Sequence, residues 1–325
     1  MNPEQRYERH KSSVERYLRS FVTEHKPQSL YFPAKYVLAA GGKRIRPVIT
    51  LLACEAVGGD ASNALHAGAG IEILHNFTLV HDDIMDHAQT RRGRLTVHKK
   101  WDVNVALLSG DALLALAYRA LLRTKSMHIQ ELSKIFTEGV VTICEGQALD
   151  KEFETRHRVH VNEYLTMIEK KTGKLVSVAA QLGAMIGNAS PADLEALRQY
   201  GEFVGRAFQI QDDLLDIMAD EKEFGKTIGG DLVEGKKTFL LLEALRRAKG
   251  EQKKMLQRVF TYGGVQKKQI SAFRLIYEET GAIDSAKKRI ENDITEAKNR
   301  LSTLPATIAR ETLRWMTERL LNRKF

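Results

Sequence analysis

A chain of 325 residues, 43% apolar and 28% charged, has the makeup of a globular protein and not of a disordered or fibrous one. Its net charge of +9 is accompanied by no zinc-finger, RNP or other nucleic-acid motif, so nucleic acid is not an expected partner. Two isolated cysteines, Cys54 and Cys144, exclude a disulfide scaffold and a CxxC zinc site, and they fit a cytoplasmic protein.

Six prolines, at positions 3, 27, 33, 47, 191 and 305, read as boundaries between long helical stretches. The polar opening Met1–Arg6 leads into no apolar signal-peptide segment, and no run reaches the length of a membrane span. Residues 4–26 read as an amphipathic helix rich in charge, and Gln28–Pro33 as a connector. Residues 1–30 thus form an N-terminal helix and connector within one large domain spanning 1–325. Gly41-Gly42-Lys43-Arg44-Ile45-Arg46-Pro47 then opens a helix over 48–57. Glycines there let backbone approach a ligand closely, and Pro47 suits a first helical turn.

Gly58-Gly59-Asp60 is a turn, and a long apolar helix over 61–86 follows, ending in Asp82-Asp83-Ile84-Met85-Asp86. Asp82 and Asp86 are four apart and share a helix face, where like charges cost roughly 0.2–0.5 kcal/mol unless a cation lies between them. Oxygen ligands with room for water and phosphate suit Mg²⁺. Arg91 and Arg92 follow closely and, being adjacent, point to different places. Ser109-Gly110-Asp111 reads as the opening of a helix over 112–122, and residues 136–153 as another, with Asp150 inside it. Arg156–His160 is an exposed connector. Tyr164–Thr172 taken alone is a basic helix face.

A helix over 191–219 carries a second acidic cluster, Gln211-Asp212-Asp213-Leu214-Leu215-Asp216, again on an apolar background and followed by Gly225-Lys226. The glycine-rich stretch 225–231 has the makeup of a loop that folds over phosphates. Residues 239–325 read as helices with turns near Gly250, Gly263, Gly281 and Pro305. From Glu251 onward 16 Lys and Arg face 9 Asp and Glu, so the basic excess gathers late in the chain. There is no repeat of solenoid period.

Two intact DDxxD clusters, each on a core-like helix and trailed by bases, together with GGKRIRP, make the chain resemble the trans-isoprenyl diphosphate synthases, from about Ala34 to the C-terminus. The resemblance implies an all-α, single-domain helical bundle around a deep central cavity, and a homodimer. It implies Mg²⁺-dependent head-to-tail condensation of isopentenyl diphosphate with an allylic diphosphate. The metal ligands would be Asp82, Asp86 and Asp212, with Asp83, Asp216 and Asp150 beside them; about three Mg²⁺ ions per site are expected, held through oxygen ligands. Lys43, Arg46, His75 and Arg92 would hold isopentenyl diphosphate. Arg91, Lys171, Thr172, Gln209, Lys226 and Lys236 would hold the allylic diphosphate.

Two departures stand out: Leu95 replaces a common proline, and Lys174 a small apolar residue. His81 and His87 receive no role. Phe77 lies five residues before Asp82, roughly 7.5 Å deeper along a helix rising 1.5 Å per residue. In the family a bulky residue there limits elongation. With the small Thr78 beside it, the expected product is C20, favoured over C15. The rival readings are a terpene cyclase, which should lack the second DDxxD and GGKRIRP, and a non-catalytic subunit, which would have lost acids.

Overall fold

The computed structural model describes residues 1–218 and 229–321, and among these it is almost entirely α-helical. The chain separates into two compact units, each discontinuous in sequence. One comprises residues 1–137, 178–198 and 301–315; the other comprises 138–177, 199–300 and the residues from 316 onward.

In the first unit α1 (Pro3–Phe21) begins at a capping box. The Asn2 side chain accepts from the Gln5 N–H at 2.9 Å, and the Gln5 side chain accepts from the Asn2 N–H at 3.2 Å. Its buried residues His10, Val14, Leu18 and Phe21 recur at helical spacing and form one stripe. Next come α2 (Gln28–Leu38), α3 (Ile45–Ala56) and α4 (Ala61–Met85). Between Ala67 and Leu74 every residue of α4 is buried, so α4 is the central helix of this unit, packed between α3 and α6.

After α4 the chain makes a small hairpin, Thr90–Arg91 against Arg94–Leu95, turning at Arg92 and Gly93. Both turn residues have positive φ, +54° and +72°, as a tight two-residue hairpin requires. The short α5 (Val97–Lys100) leads to α6 (Val103–Leu121), which is capped by Asp102 accepting from the Val105 N–H at 2.8 Å. The expected start at Ser109-Gly110-Asp111 is therefore corrected: those residues lie inside α6. By length and composition α6 is apolar enough to cross a bilayer, contrary to the reading that no segment is. Its apolarity has two sources here. Leu113, Leu116, Ala117 and Ala120 are buried, while Val103, Leu107 and Leu108 are exposed.

In the second unit the C-terminal part of α7 (Ile129–Thr155) is followed by α8 (Val161–Ile168). A π-helical turn, Glu169–Gly173, then joins α8 to α9 (Lys174–Ile186). The second acidic cluster lies at the end of α10 (Pro191–Met218). Short and long helices follow at Gly230–Val233, Phe239–Arg247, Gly250–Tyr262, Ile270–Glu279 and Ala282–Ser302. Phe153, Tyr164, Met167, Ile210, Leu214, Phe239, Phe273 and Tyr277 form this unit's core.

Candidate active site

The first acidic motif closes α4. The Asp86 N–H donates to the Asp82 carbonyl at 2.8 Å, which stacks the two aspartates one turn apart as the final turn of the helix. Asp82 and Asp86 are half-buried, whereas Asp83 between them turns inward and is only 5% exposed. Arg91 donates to Asp83 Oδ1 from Nε at 2.9 Å and Nη2 at 2.7 Å. Burial raises the Asp83 carboxyl above its ordinary range, and the Arg91 guanidinium offsets this only in part. Asp83 therefore tethers a base to the motif, leaving Asp82 and Asp86 as the outward pair.

Its neighbour Arg92 goes elsewhere, donating from Nη1 to the Gly41 carbonyl at 2.5 Å. A Cβ on Gly42 would lie 3.2 Å from that guanidinium, so the glycine lets the loop and the arginine meet. Gly41, Gly42 and Arg44 all take positive φ, and this kinked loop starts α3. Arg46, in its first turn, stands 3.3 Å from His75 Nε2. Burial, with Arg46 and Arg92 close by, pushes His75 well below its ordinary value. The neutral ring accepts from Arg46 at Nε2 and carries its proton on Nδ1. The predicted residues of GGKRIRP, His75 and Arg92 thus gather around one glycine loop.

In the second unit the middle aspartate again turns inward. Asp213, 4% exposed, accepts from Tyr164 Oη at 2.5 Å, the Phe239 N–H at 3.1 Å and Gln209 Nε2 at 3.2 Å. Burial pushes it up to about 7. Asp216 accepts from the Asp231 N–H at 3.1 Å, and burial together with the Asp231 carboxylate pushes it up to about 7. Asp212 is half-buried.

Facing these, Lys171 Nζ meets Asp150 at 2.6 Å and Thr172 Oγ1 donates to Gln209 Oε1 at 3.0 Å. Lys236 Nζ lies 3.2 Å from Asp231 and 3.0 Å from Glu234. A cavity of ≈ 100 Å³ is lined by Asp150, Tyr164, Lys171, Gln209, Asp213 and Lys236. A wider groove of ≈ 1000 Å³ in the same unit, bordered by Arg158, His160 and Phe260, holds none of the predicted residues. Lys226 and residues 225–228 of the glycine-rich stretch lie outside the described residues.

Lys171 and Thr172 sit on the π-helical turn, and its seat is made by glycines. A Cβ on Gly146 of α7 would come within 2.3 Å of the Lys171 nitrogen, and one on Gly205 of α10 within 2.4 Å of Gly173 Cα. Backbones this close leave no room for side chains, and π turns of this kind recur at functional sites.

Sequence reasoning gave no part to Tyr164, Asp213 or Asp231, nor to Asp83 as a tether. The signal was present only in the doubled aspartates, since two neighbours on a helix cannot share a face.

The donors suit Mg²⁺. Asp82, Asp86 and Asp212 offer carboxylate oxygen and no sulfur or nitrogen. Among the described residues no three acidic, histidine or cysteine side chains form a closed cage. Mg²⁺ is ordinarily held by one or two carboxylates with water and substrate phosphates.

The protein is all-α among its described residues, with doubled acidic motifs, lysines and arginines poised on carboxylates, and a separate arginine–histidine cluster on a glycine loop. Residues 27–279 match the polyprenyl synthetase family. The short chain isoprenyl diphosphate synthase of Methanothermobacter thermautotrophicus is 39% identical over 308 residues, 94% of each chain. The geranylgeranyl diphosphate synthase of Methanosarcina mazei is 37% identical over 92% of this chain and 91% of its own. In structure, the geranylgeranyl pyrophosphate synthetase from Pyrococcus horikoshii matches with a TM-score of 0.94 at 36% identity, covering 99% of both chains. The chain belongs to the polyprenyl synthetase family.

Proposed function

We propose that this trans-prenyltransferase condenses isopentenyl diphosphate head-to-tail with an allylic diphosphate and releases a C20 diphosphate. The observation that carries this reading is the segregation of cations in the first unit. Arg91 is tethered at the acidic motif, while Arg46 and Arg92 gather at the glycine loop with the neutral His75 ring beside Arg46. Two diphosphate stations suit a condensing enzyme; a cyclase, with one diphosphate substrate, needs one.

Diphosphate leaves readily only when its charge is neutralised. Asp82 and Asp86 in the first motif and Asp212 in the second are the carboxylates that would hold Mg²⁺, which supplies positive charge to the leaving group when bound. Arg91, Lys171 and Lys236 add fixed positive charge. Lys171 and Lys236 wait on Asp150, Asp231 and Glu234, so substrate phosphate replaces a carboxylate partner and no bare ammonium has to be kept. Lys43, Arg46, His75 and Arg92 hold isopentenyl diphosphate with its double bond towards the allylic carbon. The C–O bond breaks, the double bond attacks the allylic cation, and a proton is lost to the departing diphosphate. Thr172 and Gln209, joined by a hydrogen bond, line the allylic side.

The exposed apolar residues Val103, Leu107 and Leu108 of α6 support a homodimer, because a second copy would cover them. Neither Cys54 nor Cys144 forms a disulfide, which supports a cytoplasmic setting.

The test is to incubate the protein with isopentenyl diphosphate, Mg²⁺ and each of dimethylallyl, geranyl and farnesyl diphosphate, and to size the dephosphorylated products by mass spectrometry. A ladder ending at C20 is expected. Failure to condense any primer would overturn the reading.

A further inference from the structure

The glycine loop 41–44 takes an unusual path, and besides Arg92 on the Gly41 carbonyl it is held by residues outside the substrate-binding set. Arg44, whose φ is +50°, buries its side chain to 3% exposure and donates to Glu72 Oε1 at 2.6 Å and to the Leu38 carbonyl at 2.8 Å. Asn76 secures Glu72 in turn, donating to its carbonyl at 2.7 Å and to Oε1 at 3.3 Å. On the other side the hydroxyl of Tyr7, on α1, donates to the Lys43 carbonyl.

α1 is itself fixed. Arg6 Nη1 lies 2.5 Å and His10 Nε2 3.1 Å from Glu55 on α3, and the Tyr7 ring stands 6.0 Å from that of Trp315 at 58°. Lys43 thus lies between two anchors: its own carbonyl on α1, and Arg44 on α4.

We propose that α1 is a clamp on the isopentenyl diphosphate station, with Tyr7 as a positioning residue that acts through the Lys43 backbone and does not touch substrate. An ammonium and N–H groups on a left-handed loop bind a diphosphate well only when pre-organised, since ordering the loop at the moment of binding costs affinity. The clamp rests on the condensation reading, and its effect is confined to one of the two substrates.

Tyr7→Phe keeps the ring beside Trp315 and removes only the hydroxyl. One lost hydrogen bond predicts about a three- to tenfold rise in KM for isopentenyl diphosphate. KM for the allylic substrate and the thermal midpoint stay unchanged. In a Lys43→Ala background the same substitution costs less than it does alone, because the ammonium is gone and only the loop N–H groups remain to be positioned. Equal rises for both substrates, an unmoved KM, or additive effects in the double variant would overturn the clamp while leaving the condensation reading intact. A wild-type protein inactive with every primer would overturn that reading and the clamp with it.

Discussion

The ring of Phe77 stands edge-on to the ring of His81, 4.8 Å between centroids at 62°. His81 Nε2 in turn lies 3.3 Å from the Leu107 carbonyl and against Gly110, where a Cβ would come within 2.1 Å of it. The candidate chain-length floor, Phe77, is therefore braced from one side by His81, which rests on α6. Phe77→Ala should extend the product beyond C20. His81→Ala should extend it less, since it leaves Phe77 in place but unsupported. Product sizing of both variants is the measurement, and a C20 end point kept by Phe77→Ala would remove Phe77 from the floor.

The neighbouring aspartates Asp82 and Asp83 should separate chemistry from stability. Asp82 faces outward, so Asp82→Ala should lower kcat by about 10³-fold or more through lost charge stabilisation, with the unfolding midpoint unchanged. Asp83→Ala strands the Arg91 guanidinium, which is 37% exposed and so partly relieved by water. A loss of about 1–3 kcal/mol in urea unfolding follows, with a raised KM for the allylic substrate. Equal unfolding midpoints for the two variants would contradict the inward placement of Asp83.

Gly146→Ala tests the seat of the π-helical turn. The added methyl would meet the backbone of Lys171, so the turn has to move, and misplacement near 1 Å can cost about 10²-fold in rate. A large fall in kcat with the helical content retained is expected. Lys170→Ala is the control: among the described residues Lys170 pairs only with the exposed Glu145, at 2.7 Å, and its loss should leave turnover within about twofold. If Gly146→Ala turns over normally, the glycine does not place Lys171.

Much of this was legible in the sequence, for definable reasons. The helix ending at Met85 announces itself by an apolar run that stops in carboxylates four apart, and Asp60 caps it where Gly58-Gly59-Asp60 reads as a turn. The two acidic motifs and GGKRIRP are local in sequence, so their residues can be named before any fold is known. What stayed hidden depends on partners far along the chain. Tyr164–Thr172 reads as a basic helix face, and the π turn at Glu169–Gly173 is seen only with Gly146 and Gly205 packed against it. Gly110 looked like the start of a helix because a glycine inside one is unfavourable alone; His81, 29 residues earlier, is the reason it is there. The hairpin at Arg92-Gly93 carried a turn signal that the apolar pattern around it was too short to reveal.

Glu243 gives the acid limb of stability a specific source. Arg246 donates to it at 2.9 and 2.8 Å, Ser285 at 2.9 Å, and Arg247 Nη2 lies 2.6 Å away. Led by the Arg246 hydrogen bonds, these partners hold the carboxyl down from its ordinary 4.5 to about 2. A carboxyl lower in the folded state than in the unfolded one contributes stability that is fully present above the unfolded value. That contribution is lost as pH falls from about 4.5 towards 2, because the unfolded chain then takes up the proton first. Glu243→Gln keeps the shape and removes the charge. At pH 7 it should lower stability by about 1–3 kcal/mol. Between pH 5 and 3 its urea midpoint should fall less steeply than that of the wild type, because the titrating group is absent. Parallel pH curves for the two proteins would show that Glu243 is not what acid acts upon.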